Sequence, residues 1–250
     1  LKTLRITVTI PIDPQKNRKT LWIVALSVFI LAILAHFPVL SGEFLWDDVN
    51  LIQKNATLHD LNNLPKYFVT DLGQFDRIPQ DTGLYRPLQH FVFALEWKIF
   101  KEFSFGFHLI LLLIHALCAL AVFFIARGLK FSLWGAFGAG GLFAVLPAGS
   151  EQIHLIANQG GAMAAAFTLW ALWAFIADPV GKNKKLVAFS LVLFALGLLS
   201  KETAIVLPAL IMGTTLFFYR PQFKSGNLWE KLALVGSGYW LLAFGYLFWR

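Results

Sequence analysis

Charge is scarce in this sequence. Only 14% of its 250 residues are Asp, Glu, Lys or Arg, against about 25% in an ordinary soluble domain, which argues against a water-soluble fold. Cysteine is nearly absent: Cys118 stands alone, so no disulfide can form within the chain and the redox compartment cannot be read from it. No internal repeat and no pair of Pro- or Gly-broken apolar segments is present, which leaves a transporter without sequence support. What is abundant is apolar and aromatic. Hydrophobic residues make up 58%, with 25 Phe and 9 Trp, and mean hydropathy is +0.66. Such residues suit lipid-facing helices and interfacial belts.

A helix needs about 20 mainly apolar residues to cross a bilayer. The candidate runs are Leu21–Leu40, Phe107–Ala126, Leu133–Ala148, Ala162–Ala177, Leu186–Ser200, Thr203–Tyr219 and Leu232–Trp249. Several are short, which tilt or a buried position accommodates. The pair Lys201-Glu202 divides two of them and reads as an outer turn. The expected fold is therefore all-α, a polytopic bundle of about seven transmembrane helices. Residues 1–19 form a cytoplasmic arm and 20–250 one membrane domain. The first span reads as an uncleaved anchor, because its run is long and Leu40-Ser41-Gly42-Glu43 is a poor small-x-small cleavage site.

Alternating the spans collects 13 basic and 3 acidic residues on one side, a balance of +10, and leaves −3 on the other. That asymmetry is the positive-inside pattern. It puts the N-terminus in the cytoplasm and the long connection 42–106 outside. The net charge of +7 thus serves topology, and no nucleic-acid partner is expected.

Connections as long as 42–106 are usually functional or disordered, and this one is patterned. Leu58, Leu61, Leu64 and Phe68 recur at helical spacing, as do Leu88, Phe91, Val92, Leu95 and Ile99, with His90, Glu96 and Lys98 on other faces. The second set predicts an amphipathic helix lying in the interface. Thr70–Leu84, with Asp71, Asp76 and Asp81, reads as an exposed turn, and Asn55-Ala56-Thr57 is a glycosylation sequon.

Chemistry-bearing residues concentrate on the outer side. Trp46-Asp47-Asp48 follows the first span; adjacent carboxylates repel, which raises one pKa and leaves a base beside an acid. The same pair can simply cap the next helix. Arg86, before the interfacial helix, can clamp a phosphate with its planar fork or snorkel to lipid headgroups. Glu151, His154 and Asn158 predict a polar stripe facing the same compartment, and Lys201-Glu202 a local ion pair. Glu151 and His154 alone make too thin a set for a metal site, so no metal ligands are assigned. His108 and His115, seven residues apart, share one face and read as packing histidines; the glycines at 135, 138, 140 and 141 predict a small face for close helix approach.

In their order along the chain these motifs carry a resemblance. They are Phe44-Leu45-Trp46-Asp47-Asp48, Tyr85-Arg86-Pro87-Leu88, Gly106-Phe107-His108 with His115-Ala116, Leu142–Pro147 leading to Ser150-Glu151, and Leu199-Ser200-Lys201-Glu202. The chain resembles the GT-C superfamily of membrane glycosyltransferases, and more narrowly the membrane part of the TMTC O-mannosyltransferases and their bacterial relatives. The resemblance implies a polyprenyl-phosphate sugar donor held among membrane lipids and transfer to an acceptor hydroxyl on the extracytoplasmic side. Asp47 or Asp48 inherits the role of general base, and Arg86 or a divalent cation that of stabilising the departing lipid phosphate. Glu151, His154, Asn158, Lys201 and Glu202 complete the expected substrate-binding set.

Two departures stand against that pattern. Where the family usually has His-Pro-x-His-Thr-Glu, this chain has Leu146-Pro147-Ala148-Gly149-Ser150-Glu151, and where a Gly-Arg pair often follows, it has Asn158-Gln159. They point to altered donor binding, and they keep a second expectation open: a non-catalytic membrane subunit that scaffolds a larger protein complex.

Overall fold

The computed structural model describes residues 14–69, 84–146, 150–179, 181–219 and 228–249. Among them every regular element is helical. In chain order these are α1 (Pro14–His36), α2 (Ala56–His59), α3 (Pro87–Phe100), α4 (Ser104–Gly128), α5 (Leu133–Val145), α6 (Ser150–His154), α7 (Gln159–Ala177), α8 (Lys184–Ser200), α9 (Leu207–Thr214) and α10 (Leu228–Trp249), joined in places by short 3-10 and π turns. Each of the seven expected spans coincides with an apolar helix. Three segments, Arg18–Ser41, Ser104–Gly128 and Ile156–Ala177, are long and apolar enough to cross a membrane by length and composition. The chain is a helical membrane bundle. The acidic stretch 70–83 and the arm 1–13 lie outside the described residues.

The hub is α4, which packs against α1, α5 and α7. Its buried residues Leu112, His115, Ala116, Ala119, Phe123 and Ala126 recur every three or four positions along one side, the spacing that carries a single helix face. Of the four glycines in α5, Gly140 is the close-approach residue. A Cβ there would lie 3.0 Å from the Ala119 carbonyl of α4, from Phe123 Cβ and from Val28 Cγ1 of α1, whereas one at Gly138 meets nothing. The expected small face therefore narrows to one residue at a three-helix crossing. Deeper in the bundle, the Tyr239 hydroxyl of α10 donates to Ser190 Oγ of α8 at 2.7 Å. Ser190 in turn donates to the Ala171 carbonyl of α7 at 2.7 Å. Where no water is at hand, buried polar groups must find each other.

The long connection forms a small core of its own at one end of the bundle. Ile52, Leu58, Tyr67, Phe93, Ala94 and Trp97 pack together with Phe107 of α4 and Ile156, and His59 stacks flat on Trp97 at 3.7 Å. Asn55 is buried here. Its Oδ1 accepts from the Leu58 N–H and its Nδ2 donates to the Leu51 carbonyl, so the sequon asparagine serves as a helix cap and offers no open amide to a glycan.

Helix α3 divides into an outer apolar edge and a buried face, as an interfacial helix does. His90 and Glu96 are buried together with Gln89, Phe93, Ala94 and Trp97, while Leu95 and Ile99 are exposed. A helix at a membrane interface turns apolar residues to lipid. Gln89, His90 and Glu96 then face the protein, while Lys98 stays exposed.

Candidate active site

The turn after the first span separates the two adjacent acids. Asp47 is exposed, whereas Asp48 has no exposure at all. One oxygen of Asp48 accepts from the Leu45 N–H of its own turn at 3.1 Å. The other accepts from the Ala157 N–H at 2.6 Å, and the Ile156 N–H adds to these. Burial pushes the Asp48 carboxyl above the usual carboxylate range, the backbone bonds pull it back, and the charge of Asp47 pushes it further up. Asp48 thus ties the first outer turn to the segment between α6 and α7.

That segment departs from the expected stripe. Helix α6 ends at His154, Leu155 is extended at φ −103° and ψ 113°, and a 3-10 turn covers Ile156–Asn158. Glu151 and Asn158 are therefore not on one continuous helix face. The break has a physical purpose: it frees the N–H groups of Ile156 and Ala157 to face Asp48, where a continuous helix would have bonded them internally. His154 is exposed and Asn158 half-buried. Of Glu151, only its place in α6 is described.

From the other side the same segment is held by α3. Gln89 Nε2 donates to the Ala157 carbonyl at 2.7 Å, so one peptide unit is gripped at both ends. Two residues beyond Ala157, Gln159 Nε2 donates to Glu96 Oε1 at 2.6 Å. Burial pushes the Glu96 carboxyl up to about 8, against the pull of the Gln159 bond, and its Oε2 is buried with no partner. At neutral pH Glu96 therefore holds its proton. Gln89 carries no signal of its own beside the apolar stripe of α3, and Glu96 reads there only as a residue off that stripe. Their spacing of seven residues was the signal that they share a side.

Arg86, at the N-terminal boundary of α3, forms a forked ion pair with Glu202. Nε to Oε2 is 3.2 Å and Nη2 to Oε1 is 2.9 Å, with both side chains largely buried. The expected Lys201–Glu202 pair is thus replaced by a long-range one, because Lys201 is extended at φ −161° and its side chain turns elsewhere. Lys201 lines a cavity of about 460 Å³ together with His115, Phe143, Gln152, Gly161 and Thr203. A second cavity of about 320 Å³ shares Phe143, Gly161, Ala165 and Thr203 with the first and continues past Ala164, Thr168 and Leu169. Together they make one groove along α7. Lys201 and Gln152 stand at its loop end and apolar walls run down the helix. Among the described lining residues Lys201 alone carries a full charge.

Space in the groove is guarded by glycine. A Cβ at Gly161 would lie 2.7 Å from Gln152 Oε1 and 3.4 Å from Lys201 Nζ. His115 Nε2 lies 3.3 Å from the Ala144 carbonyl, which His36 Nε2 also meets at 3.0 Å, so both imidazoles face one helix end, as packing histidines do. His108 is buried against Gly42. Among the described residues no group of three His, Cys, Asp or Glu side chains gathers to hold a metal ion.

The groove, the segment between α6 and α7, and α3 lie mostly within a region of recognisable ancestry. Residues 85–249 match the family described as dolichyl-phosphate-mannose-protein mannosyltransferase. The match begins at Tyr85, so the Trp46–Asp48 turn precedes it. The chain is 27% identical over 180 residues to a protein O-mannosyl-transferase of Caenorhabditis elegans, an alignment covering 70% of this chain and 25% of that protein. It is 29% and 26% identical to the protein O-mannosyl-transferases Tmtc2 and Tmtc1 of Drosophila melanogaster, each alignment covering 70% of this chain and 20% of the relative. The chain thus spans about a quarter or less of the length of these relatives. No solved structure matches.

Proposed function

Because the chain belongs to the dolichyl-phosphate-mannose-protein mannosyltransferase family, we propose that it transfers a sugar from a polyprenyl-phosphate donor to an acceptor hydroxyl on the extracytoplasmic side of the membrane. One observation carries this reading. An apolar groove along a membrane helix carries, among its described lining residues, one full positive charge, Lys201, at its loop end. A lipid phosphate has the same two parts, an apolar chain and an anionic head, and the match is of charge as well as shape. In this account Lys201, with Gln152 beside it, receives the phosphate, and the isoprenoid lies along Ala164, Ala165 and Leu169.

Roles follow from accessibility. Asp47 is exposed and serves as the general base. The acceptor oxygen attacks the anomeric carbon, Asp47 takes the hydroxyl proton, and the bond from that carbon to the phosphate oxygen breaks. The phosphate leaves with the electron pair, its charge met by Lys201. Asp48 is a positioning residue that fixes the turn. Arg86 acts through Glu202, keeping that carboxylate away from Lys201, which would otherwise be neutralised by its neighbour. The basic flanks of the spans support a cytoplasmic N-terminus and an outer loop.

A second reading is a non-catalytic subunit, and the full engagement of Asp48 in backbone bonds favours it. The two are separated by a transfer assay on the purified full chain with dolichyl phosphate mannose and an acceptor peptide. Product formation that Asp47→Asn abolishes supports the enzyme. Donor binding without transfer, unaltered by Asp47→Asn, supports the subunit.

A further inference from the structure

Trp46 is the most exposed tryptophan among the described residues, at 83%, and its backbone is in the left-handed region at φ 47°. A bulky aromatic there is a genuine outlier. Two lysines share positive φ, Lys101 at 53° and Lys130 at 70°. Both directly follow or cap a helix C-terminus, α3 and α4 respectively, where the chain has to turn away from the helix. Trp46 ends no helix; it directly precedes the short helical stretch 47–53. Strain of this kind persists only where surrounding bonds over-determine it. Here they do: the Asp48 N–H donates to the Leu45 carbonyl and the Val49 N–H to that of Trp46, while the Asp48 carboxylate binds Leu45 and Ala157.

Membrane anchoring does not account for the strain. Trp22, Trp134, Trp240 and Trp249 are also exposed, yet all lie within helices with ordinary backbone, so the fold offers unstrained places for interfacial indoles. The strained turn instead presents two neighbours outward together: a flat aromatic face and the Asp47 carboxylate. The first suits the C–H face of a pyranose ring and the second its hydroxyls. The clamp through Ala157 joins this turn to the backbone between Gln152 and Gly161, both on the groove wall.

We propose that Trp46 is a sugar-recognition residue, its exposed indole stacking on the pyranose ring that the donor lipid carries. This rests on the donor reading above. The test measures dissociation constants of the full chain in lipid nanodiscs for two probes, dolichyl phosphate mannose and bare dolichyl phosphate. The wild type is expected to prefer the sugar-bearing lipid by roughly fivefold, the scale of one aromatic contact. Trp46→Gly, which relieves the backbone, should bring that ratio to about one while leaving bare dolichyl phosphate binding and the melting temperature intact. Trp46→Phe should keep part of the preference. A ratio that persists in Trp46→Gly, that is absent from the wild type, or that falls only with binding of both lipids overturns the assignment alone. A wild type that binds neither lipid overturns the donor reading and this assignment with it.

Discussion

Two polar regions lie near each other at the loop end of the bundle, and they differ in how completely they are satisfied. In the clamp of Asp48, the Ile156–Ala157 backbone and Gln89, acid oxygens, N–H groups and a carbonyl are bonded to one another, and only the Gln89 Oε1 is buried without a partner. The groove at Lys201 is open, with a cation and an amide facing about 460 Å³ of space. Charged groups that look alike in a sequence thus divide into those whose partner is the protein and those whose partner comes from elsewhere. The adjacent acids Asp47 and Asp48 fall on opposite sides of that line.

Breaking the open side should give the largest effect. Asp47→Asn is expected to lower the transfer rate by about 10² to 10⁴, the usual worth of a positioned base, with the melting temperature unchanged. Kinetics and thermal unfolding of the same detergent preparation check both halves. Breaking the clamp should reverse the pattern. Asp48→Ala leaves the buried N–H groups of Ile156 and Ala157 without acceptors, each worth about 1–3 kcal/mol, so folding itself should fail or the melting temperature fall steeply. Asp48→Asn keeps one acceptor oxygen and should be milder. Equal stability of Asp48→Ala and wild type would remove the clamp from the account.

Overpacking offers a control inside the membrane part. Gly140→Leu adds a side chain where even a Cβ is crowded by α1 and α4, a cost of about 1–3 kcal/mol, while Gly138→Leu should be nearly silent. Loss of the Arg86–Glu202 fork by Arg86→Ala should cost about 1–2 kcal/mol, less than a fully buried pair. It should also weaken lipid-phosphate binding by letting Glu202 relax toward Lys201.

The smallest effect is a pH slope. Glu96 titrates near 8 in the fold against an ordinary 4.5, so between those values the folded state holds a proton that the unfolded state has lost. Stability from this group is full below about 4.5, falls as pH rises toward 8 and levels off above. Glu96→Gln should flatten that part of the profile. A profile in which the wild type gains stability from pH 5 to 8 relative to Glu96→Gln contradicts a protonated Glu96.

The helices themselves were legible in the sequence, because length and apolar content alone specify a membrane-spanning helix. The seven expected runs all recur as helical segments, six with shifted ends and Thr203–Tyr219 as a 3-10 turn, α9 and a π turn in succession. In α3 the apolar residues Leu95 and Ile99 face outward and Glu96 inward, as an interfacial helix requires, but what Glu96 meets inside could not be read from hydropathy. Partner choice was equally hidden. Arg86 and Glu202 stand 116 residues apart, so their pairing depends on where α3 meets the α8–α9 turn. The stripe Glu151-His154-Asn158 failed for a related reason: the break at Leu155 serves Asp48, a residue more than a hundred positions away. The Trp-Asp-Asp motif was visible as a feature, but its division into a buried clamp and an exposed pair needed three dimensions.

The central claim is that the Lys201 groove holds the phosphate of a polyprenyl donor. Binding of dolichyl phosphate to the full chain in nanodiscs, compared between wild type, Lys201→Met and Lys130→Met, tests it most directly. The account predicts at least a tenfold loss for Lys201→Met, the order expected of a charge-assisted contact, and none for Lys130→Met, an exposed lysine at the opposite end of α4. Equal affinity of wild type and Lys201→Met would contradict it.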